Sequence, residues 1–317
     1  MLDEQDLAAL ALTSRLVKSA VKPLSSREFW ALRRSVEPSA LRGTTAIEIA
    51  SELAIPGEDA ERIARLFDRA TGIAVALETL NHSGIWTITG VGECYPERLR
   101  ARLHDAAPIV LHGVGDTSLL STDGVGVVGS RDISEHGSRI ACEIAQTAVQ
   151  SGLPVVSGAA RGVDQDAMNA AFKVGGQVVG VLADSLERAV TRPGTRRGVA
   201  GGQICLVTPY TPSAPFSVGN AMGRNKIIYG LSRYTIVVAT DQESGGTWAG
   251  ATEALKKHYG RVASWTGAGS SAGNNALVKQ GAVELSDLTH LDYLLDESDV
   301  PPTGKDEPLG DQLALGF

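Results

Sequence analysis

Gly124-Val125-Gly126-Val127-Val128-Gly129-Ser130-Arg131 is the stretch whose reading decides the fold, and Ser134 follows it at the head of a helical pattern through Ile140, Ile144 and Val149. A short apolar run that ends on glycine, a hydroxyl and a cation, then turns into a helix, is the first unit of an α/β protein. Glycine lets a phosphate approach the backbone, a helix N-terminus offers unpaired N–H groups, and Arg131 adds a forked cation. One such turn is weak evidence, because many are purely structural.

Working outward, the design recurs. Further apolar runs at Pro154 to Val156, Val178 to Leu182, Ile204 to Val207, Ile236 to Ala239 and Val262 to Trp265 alternate with helical patterns up to about Leu285. Such alternation predicts an extended Rossmann-like, doubly wound, mostly parallel sheet covered on both faces, with ligands at the carboxyl ends of the strands. The second run leads into Ser157-Gly158-Ala159-Ala160-Arg161-Gly162-Val163-Asp164, again with a hydroxyl, glycines and an arginine. Asp164 either caps the next helix or orients an arginine. A third element, Gly223-Arg224-Asn225-Lys226, sets two cations beside a helix, and a fourth, Ser244-Gly245-Gly246-Thr247, opens another helix. Convergence of all four on one sheet edge makes Gly129, Ser130, Arg131, Ser157, Gly158, Arg161, Gly162, Arg224, Asn225, Lys226, Ser244, Gly245, Gly246 and Thr247 the candidate phosphate-binding set.

Either side of this block (123–285) the character changes. Residues 1–80 read as a helical N-terminal domain: Ser25-Ser26-Arg27-Glu28 is a capping signal, and Ile47, Ile49, Ala50 and Leu53, then Ile63, Leu66 and Phe67, repeat at helical spacing around Pro56-Gly57. Residues 81–122 form a lead-in with strand-like Gly84 to Thr89 and Pro108 to Gly113. Residues 286–317 read as an acidic flexible tail, a short helix and a proline-rich tether ending in Gln312-Leu313-Ala314-Leu315-Gly316-Phe317.

The formal net charge of -7 argues at first against a nucleic-acid partner. From Ser286 onward, however, Asp287, Asp292, Asp296, Glu297, Asp299, Asp306, Glu307 and Asp311 face Lys305 alone, so eight negatives less one positive account for all of it. The rest of the chain is neutral. Three cysteines without a CxxC pair give neither a zinc site nor a disulfide framework, and the six histidines have no metal-ligand spacing. With no apolar run of membrane-spanning length, a cytoplasmic protein with no metal or cofactor is expected.

In order and spacing the four elements resemble the DprA (Smf) family of DNA-processing proteins, whose pattern includes GSR, SGxAxGID, RNRII-GLS and SG-x-x-x-TA. The resemblance covers about residues 80 to 285, with Tyr95-Pro96 and Leu111-His112-Gly113 also fitting. It implies an extended Rossmann fold, a homodimer, sequence-independent binding of single-stranded DNA and loading of the RecA recombinase onto that DNA, without catalysis. Ser130, Arg131, Ser157, Gly158, Arg161, Arg224, Asn225 and Lys226 carry over as backbone-phosphate contacts.

The chain departs from the family at Met168, where histidine is usual, and at Lys226, where a second arginine is usual. It departs again in Asp184 to Gly202, whose Arg188, Arg192, Arg196 and Arg197 form either a DNA-facing patch or a solvated loop. No winged helix is expected after the Rossmann block. Gln312, Leu313, Leu315 and Phe317 resemble the motif by which polymerases and repair proteins enter the sliding clamp, the alternative being docking on the chain itself.

Competing readings are a nucleotide-sensing module of the broader Rossmann (SLOG) type and a DprA-like antitoxin in phage defence. The Gly245-Gly246-Thr247 turn is also similar to that of LOG phosphoribohydrolases, but Glu253 lies six residues past Thr247 rather than three, so no catalytic residue is assigned. Trp248 either stacks on a base or packs in the core.

Overall fold

A computed structural model describes residues 2–296, with side chains not described at 292, 293, 295 and 296. The tether and Gln312, Leu313, Leu315 and Phe317 lie outside the described residues. Among the described residues no helix is long and apolar enough to cross a membrane.

Residues 2–82 form a helical segment: α1 (Glu4–Thr13), α2 (Ser26–Ser35), α3 (Ala46–Leu53), α4 (Gly57–Phe67) and α5 (Ala70–His82). Their starts are written in the sequence. Ser25 and Glu28 form a reciprocal capping box on α2, and Thr45 and Glu48 do the same on α3, each satisfying N–H groups that a helix end leaves open. Leu10, Leu12, Phe29, Leu41, Ile49, Ile63 and Leu66 fill the core between these helices. Burying each contributes about 1.5–3 kcal/mol. Ile47 does not join them: it is 83% exposed, on the face of α3 opposite Ile49.

The rest of the chain builds one sheet. Its strands are β1 (Trp86–Thr89), β2 (Val110–Val114), β3 (Gly124–Val128), β4 (Val155–Ser157), β5 (Val178–Val181), β6 (Ile204–Thr208), β7 (Ser232–Val237), β8 (Arg261–Trp265) and β9 (Val283–Leu285). The spatial order is β1-β2-β6-β5-β4-β3-β7-β8-β9. Pairing is parallel from β6 across to β9, whereas β1 pairs β2 and β2 pairs β6 antiparallel. The lead-in therefore supplies two edge strands of the same sheet.

Helices cover both faces, so neighbouring strand residues are both buried. Val125, Val127 and Val155 meet α7 (Glu135–Gln150) and α8 (Val163–Lys173), while Val128, Val156 and Val237 face α11 (Val218–Leu231), α12 (Gly245–Lys257) and α6 (Glu97–Leu103). This is why the strands read as unbroken apolar runs. Trp248 packs against the second of these cores, which resolves its role in favour of packing. Asp184 to Gly202 holds two short helices, α9 (Leu186–Val190) and α10 (Pro193–Ala200), where the sequence suggested a loop. Past β8 come α13 (Ala272–Lys279) and, after β9, α14 (Thr289–Asp296).

The helical segment is tied to the sheet edge by polar contacts. Trp30 Nε1 donates to the Ala107 carbonyl (3.0 Å), and Thr89 Oγ1 donates to the buried Asp6 carboxylate (2.5 Å). The second of these bonds is buried and the first part-buried.

Candidate functional site

From β3 the chain winds outward through β4, β5 and β6, and then returns to the other side of β3 for β7. That reversal leaves a crevice beyond the carboxyl ends of β3 and β7, the place where an open α/β sheet binds ligands. A cavity of about 330 Å³ occupies it, lined by Gly129, Ser130 and Arg131 from the first turn, Arg224 and Asn225 from α11, and Ser244, Gly245, Gly246 and Thr247 from the fourth turn. A smaller hollow of about 220 Å³ adjoins it, sharing Arg131, Ala160, Phe216 and Arg224 and adding Gly158 and Arg161. All four sequence-derived elements thus meet in one cavity, the second through Ala160 and Asp164, and its Gly158 and Arg161 continue into the hollow beside it.

The turns are held to one another by their own backbones. Ser130 N–H donates to the Ala239 carbonyl (2.9 Å), and Val163 N–H donates to the Ser130 carbonyl (3.3 Å). Gly162 has a φ of +80°, and a Cβ there would run into the Ser130 and Arg131 carbonyls. At Gly158 the neighbour is Arg224: a Cβ would overlap its guanidinium. These glycines admit another part of the protein where the sequence suggested approach by phosphate.

Arg224 is the hub. Its Nη2 donates to the Gly158 carbonyl (2.7 Å) and lies 3.7 Å from Asp164 Oδ2, and its Nη1 donates to Asn225 Oδ1 (2.8 Å). Asn225 Nδ2 in turn donates to the Gly246 carbonyl (3.0 Å). Asp164 also accepts the Gly158 N–H (3.2 Å), so its part is to orient an arginine and a turn; Gly162, with no side-chain cap, stands at the head of α8. Burial pushes the Asp164 carboxyl up, against the pull of Arg224 and of the Ala160, Gly129 and Gly158 amides. Burial likewise lowers Arg224 from its ordinary value, opposed by Asp164. Arg224 is therefore chiefly a buttress beneath the cavity floor.

The exposed cations differ. Arg131 and Arg161 have no ion-pair partner among the described residues, and both are open to solvent. Carboxylates of Asp241 and Asp184 also stand in the lining, so these two arginines and the open amides are the groups suited to an anion. The head of α12 supplies such amides, since Ser244 makes no side-chain cap there.

Other expected residues stand apart. Ser157 is fully buried and spends its hydroxyl on the Val127 carbonyl (2.6 Å), so it is a structural tie rather than a ligand contact. Gly162 packs closely against the first turn. Lys226 faces a different cavity, between α11 and the N-terminal helices. It stands two positions from Arg224, which on a helix means opposite sides.

The sequence reading missed an apolar ledge. Phe216 is 48% exposed with the Arg131 guanidinium 5.2 Å from its ring centroid, and Val218 and Met222 are exposed beside it. An aromatic face clamped by a cation is a stacking platform. An apolar residue in a loop carries no signal that separates such a platform from core. No group of three or more histidine, cysteine or carboxylate side chains suited to a metal ion occurs among the described residues.

The sequence profile described as DNA recombination-mediator protein A matches residues 86–296. The chain is 36% identical over 124 residues to Protein Smf of Synechocystis, covering 38% of this chain and 31% of that protein. It is 32% identical over 154 residues to DNA processing protein DprA of Streptococcus pneumoniae, with 48% of this chain and 54% of the other covered. With Escherichia coli Protein Smf it shares 32% identity over 215 residues, or 65% and 55% of the two chains. The chain thus spans between a third and just over half the length of these curated relatives. The X-ray structure of Streptococcus pneumoniae DprA superposes with a TM-score of 0.70 at 22% identity, covering 92% of this chain and 97% of that one. A Helicobacter pylori DNA processing protein A structure, described for its single-stranded DNA binding mode, gives 0.53 at 23% identity, covering 67% and 95%.

Proposed function

Since this chain belongs to the DNA recombination-mediator protein A family, we propose that it binds single-stranded DNA in the crevice at the strand ends, as a DNA-processing protein without catalysis of its own. The observation that carries the reading is the pairing of unneutralised Arg131 with the exposed Phe216 ring beside the open head of α12. Phosphates take the amides of Gly245 to Thr247 and the guanidinium of Arg131, while a base lies on Phe216. The adjoining hollow leads the next phosphate to Arg161. None of these contacts reads a base edge, so binding is independent of sequence. In the finer form of the proposal a homodimer presents the strand to a recombinase of the RecA type.

The test is fluorescence anisotropy with labelled oligo-dT across a salt series. Wild-type affinity falls with salt, and Arg131→Ala weakens binding and reduces the salt slope by about 0.7, the share of one phosphate on a single strand. No binding at low salt, or an unchanged slope in the variant, overturns the proposal. A second reading, a small-nucleotide sensor, draws on the modest 330 Å³ of the main cavity. Retention of a mononucleotide that Arg131→Ala releases, without oligonucleotide binding, would favour it.

A further inference from the structure

Lys226 opens a separate question. On the far side of α11 from the strand-end crevice lies a cavity of about 590 Å³, walled by the α1–α2 connection and the head of α2 on one side, and by β2, the segment after β6 and α11 on the other. Its volume falls within the range of small-molecule sites, which is about 300–1,000 Å³.

The charges that line it are of one sign. Arg15 and Lys226 are its only formally charged lining residues, and neither has an ion pair or hydrogen bond among the described residues. Lys226 is part-buried, and the carboxylate whose field reaches it, Glu253, does not line the cavity. Leaving an ammonium partly desolvated without a partner is costly, unless an anion joins it.

Ser25 and Ser26 at the head of α2 line the cavity, but the Glu28 carboxylate already takes the Ser25 N–H (2.6 Å), so this helix end does not count toward an anion site. One further feature points the same way. His112 is only 3% exposed and also lines the cavity; Thr87 Oγ1 bonds its Nδ1 (2.8 Å), while Nε2 has no partner among the described residues. Burial keeps this imidazole neutral at pH 7, and in the tautomer whose Nδ1 accepts from Thr87 its Nε2 carries a proton that it can donate.

We propose that this cavity is a second ligand site, taking the phosphate of a nucleotide-sized molecule between Arg15, Lys226 and His112. Pro108, Pro209 and Tyr210 form the less polar wall against which a ring can lie. The site draws on none of the residues that line the strand-end crevice. It stands whether or not the crevice binds DNA.

Isothermal titration of the full chain with thymidine monophosphate, thymidine and oligo-dT bearing a 5′-phosphate tests this. Thymidine monophosphate binds, thymidine does not, and Arg15→Ala and Lys226→Met each weaken binding by about tenfold, the loss of one charge-assisted contact. Arg15 sits on an exposed connection, so its variant retains the fold even if Lys226→Met does not. Arg131→Ala leaves the monophosphate affinity unchanged. Binding of only the phosphorylated oligonucleotide, weakened by the same two variants, also supports the site and identifies a strand end as the source of the phosphate. The proposal is overturned if neither phosphate ligand binds, if Arg15→Ala binds them as wild type does, or if Arg131→Ala abolishes monophosphate binding.

Discussion

Replacing Gly158 by alanine should cost far more than a methyl group normally does. The glycine has no positive φ, so alanine's backbone preference is not at issue. The new Cβ instead overlaps the Arg224 guanidinium, which must swing away. Arg224 is almost fully buried, as is Asp164, and moving it breaks the 2.7 Å bond to the Gly158 carbonyl while leaving the carboxylate 3.7 Å away without its counter-ion. Breaking a buried pair from one side costs about 3–5 kcal/mol, against a total stability of about 5–15 kcal/mol. Arg224→Met should cost a similar amount, since it strands the same carboxylate. In that background the space beside Gly158 is vacant, and adding Gly158→Ala should cost only a few tenths of a kcal/mol. Urea denaturation of the four proteins at pH 7 measures the cycle. Repeating it at pH 5 adds a sign. Asp164, raised by burial even with its partner, rises further without it, so the folded variant holds a proton that the unfolded chain releases. Its stability therefore increases as pH falls through the folded value, and the penalty shrinks. A cost below about 1 kcal/mol for Gly158→Ala, or additive costs in the cycle, would refute the reasoning.

Other expectations are checked more simply. Phe216→Ala should weaken oligo-dT binding by about 1–3 kcal/mol with the salt slope unchanged, because stacking releases no counterions; anisotropy across a salt series separates it from Arg131→Ala. Asn225→Ala removes the tie to the Gly246 carbonyl, and should lower stability by about 1 kcal/mol in thermal denaturation while weakening oligo-dT binding through the loosened head of α12. Burial holds His112 down to about 4 from 6.5, so stability present above pH 6.5 is lost as pH falls toward 4, by roughly 3 kcal/mol at the lower end. Denaturation midpoints at pH 7 and 4.5 should converge in His112→Gln relative to wild type.

Much of this architecture was legible because the parallel strands are buried on both faces, which leaves unbroken runs such as Val125 to Val128 that stand out from polar surroundings. The capping signal at Ser25 and Glu28 was equally plain, being a local hydrogen-bond exchange. What failed to show is what depends on neighbours distant in sequence. Ile47 satisfies the helical period of α3 yet meets nothing, because the period names a stripe and not the element that covers it. The four phosphate elements were visible as turns, but not the division of labour among their residues. Ser157 sits where its strand is still paired, so its hydroxyl is used inside, and Gly158 is glycine on account of Arg224, sixty-six positions away. Lys226 could have been separated from Arg224 by helical spacing alone, once the helix was accepted. Phe216 and the pair of short helices after Asp184 offered no comparable signal.

The antiparallel edge of the sheet sets a timetable. β2 takes its place by pairing His112 with Thr208, ninety-six residues further along the chain. At a synthesis rate of about 5–20 residues per second, roughly 5–20 s pass before the ribosome delivers that partner. During this interval β2 has only β1 beside it and the six earlier helices to shelter its apolar face. The helical layer is made first and is waiting when the strand emerges, so the order of elements along the chain serves as a nursery for a strand whose second neighbour is still to come.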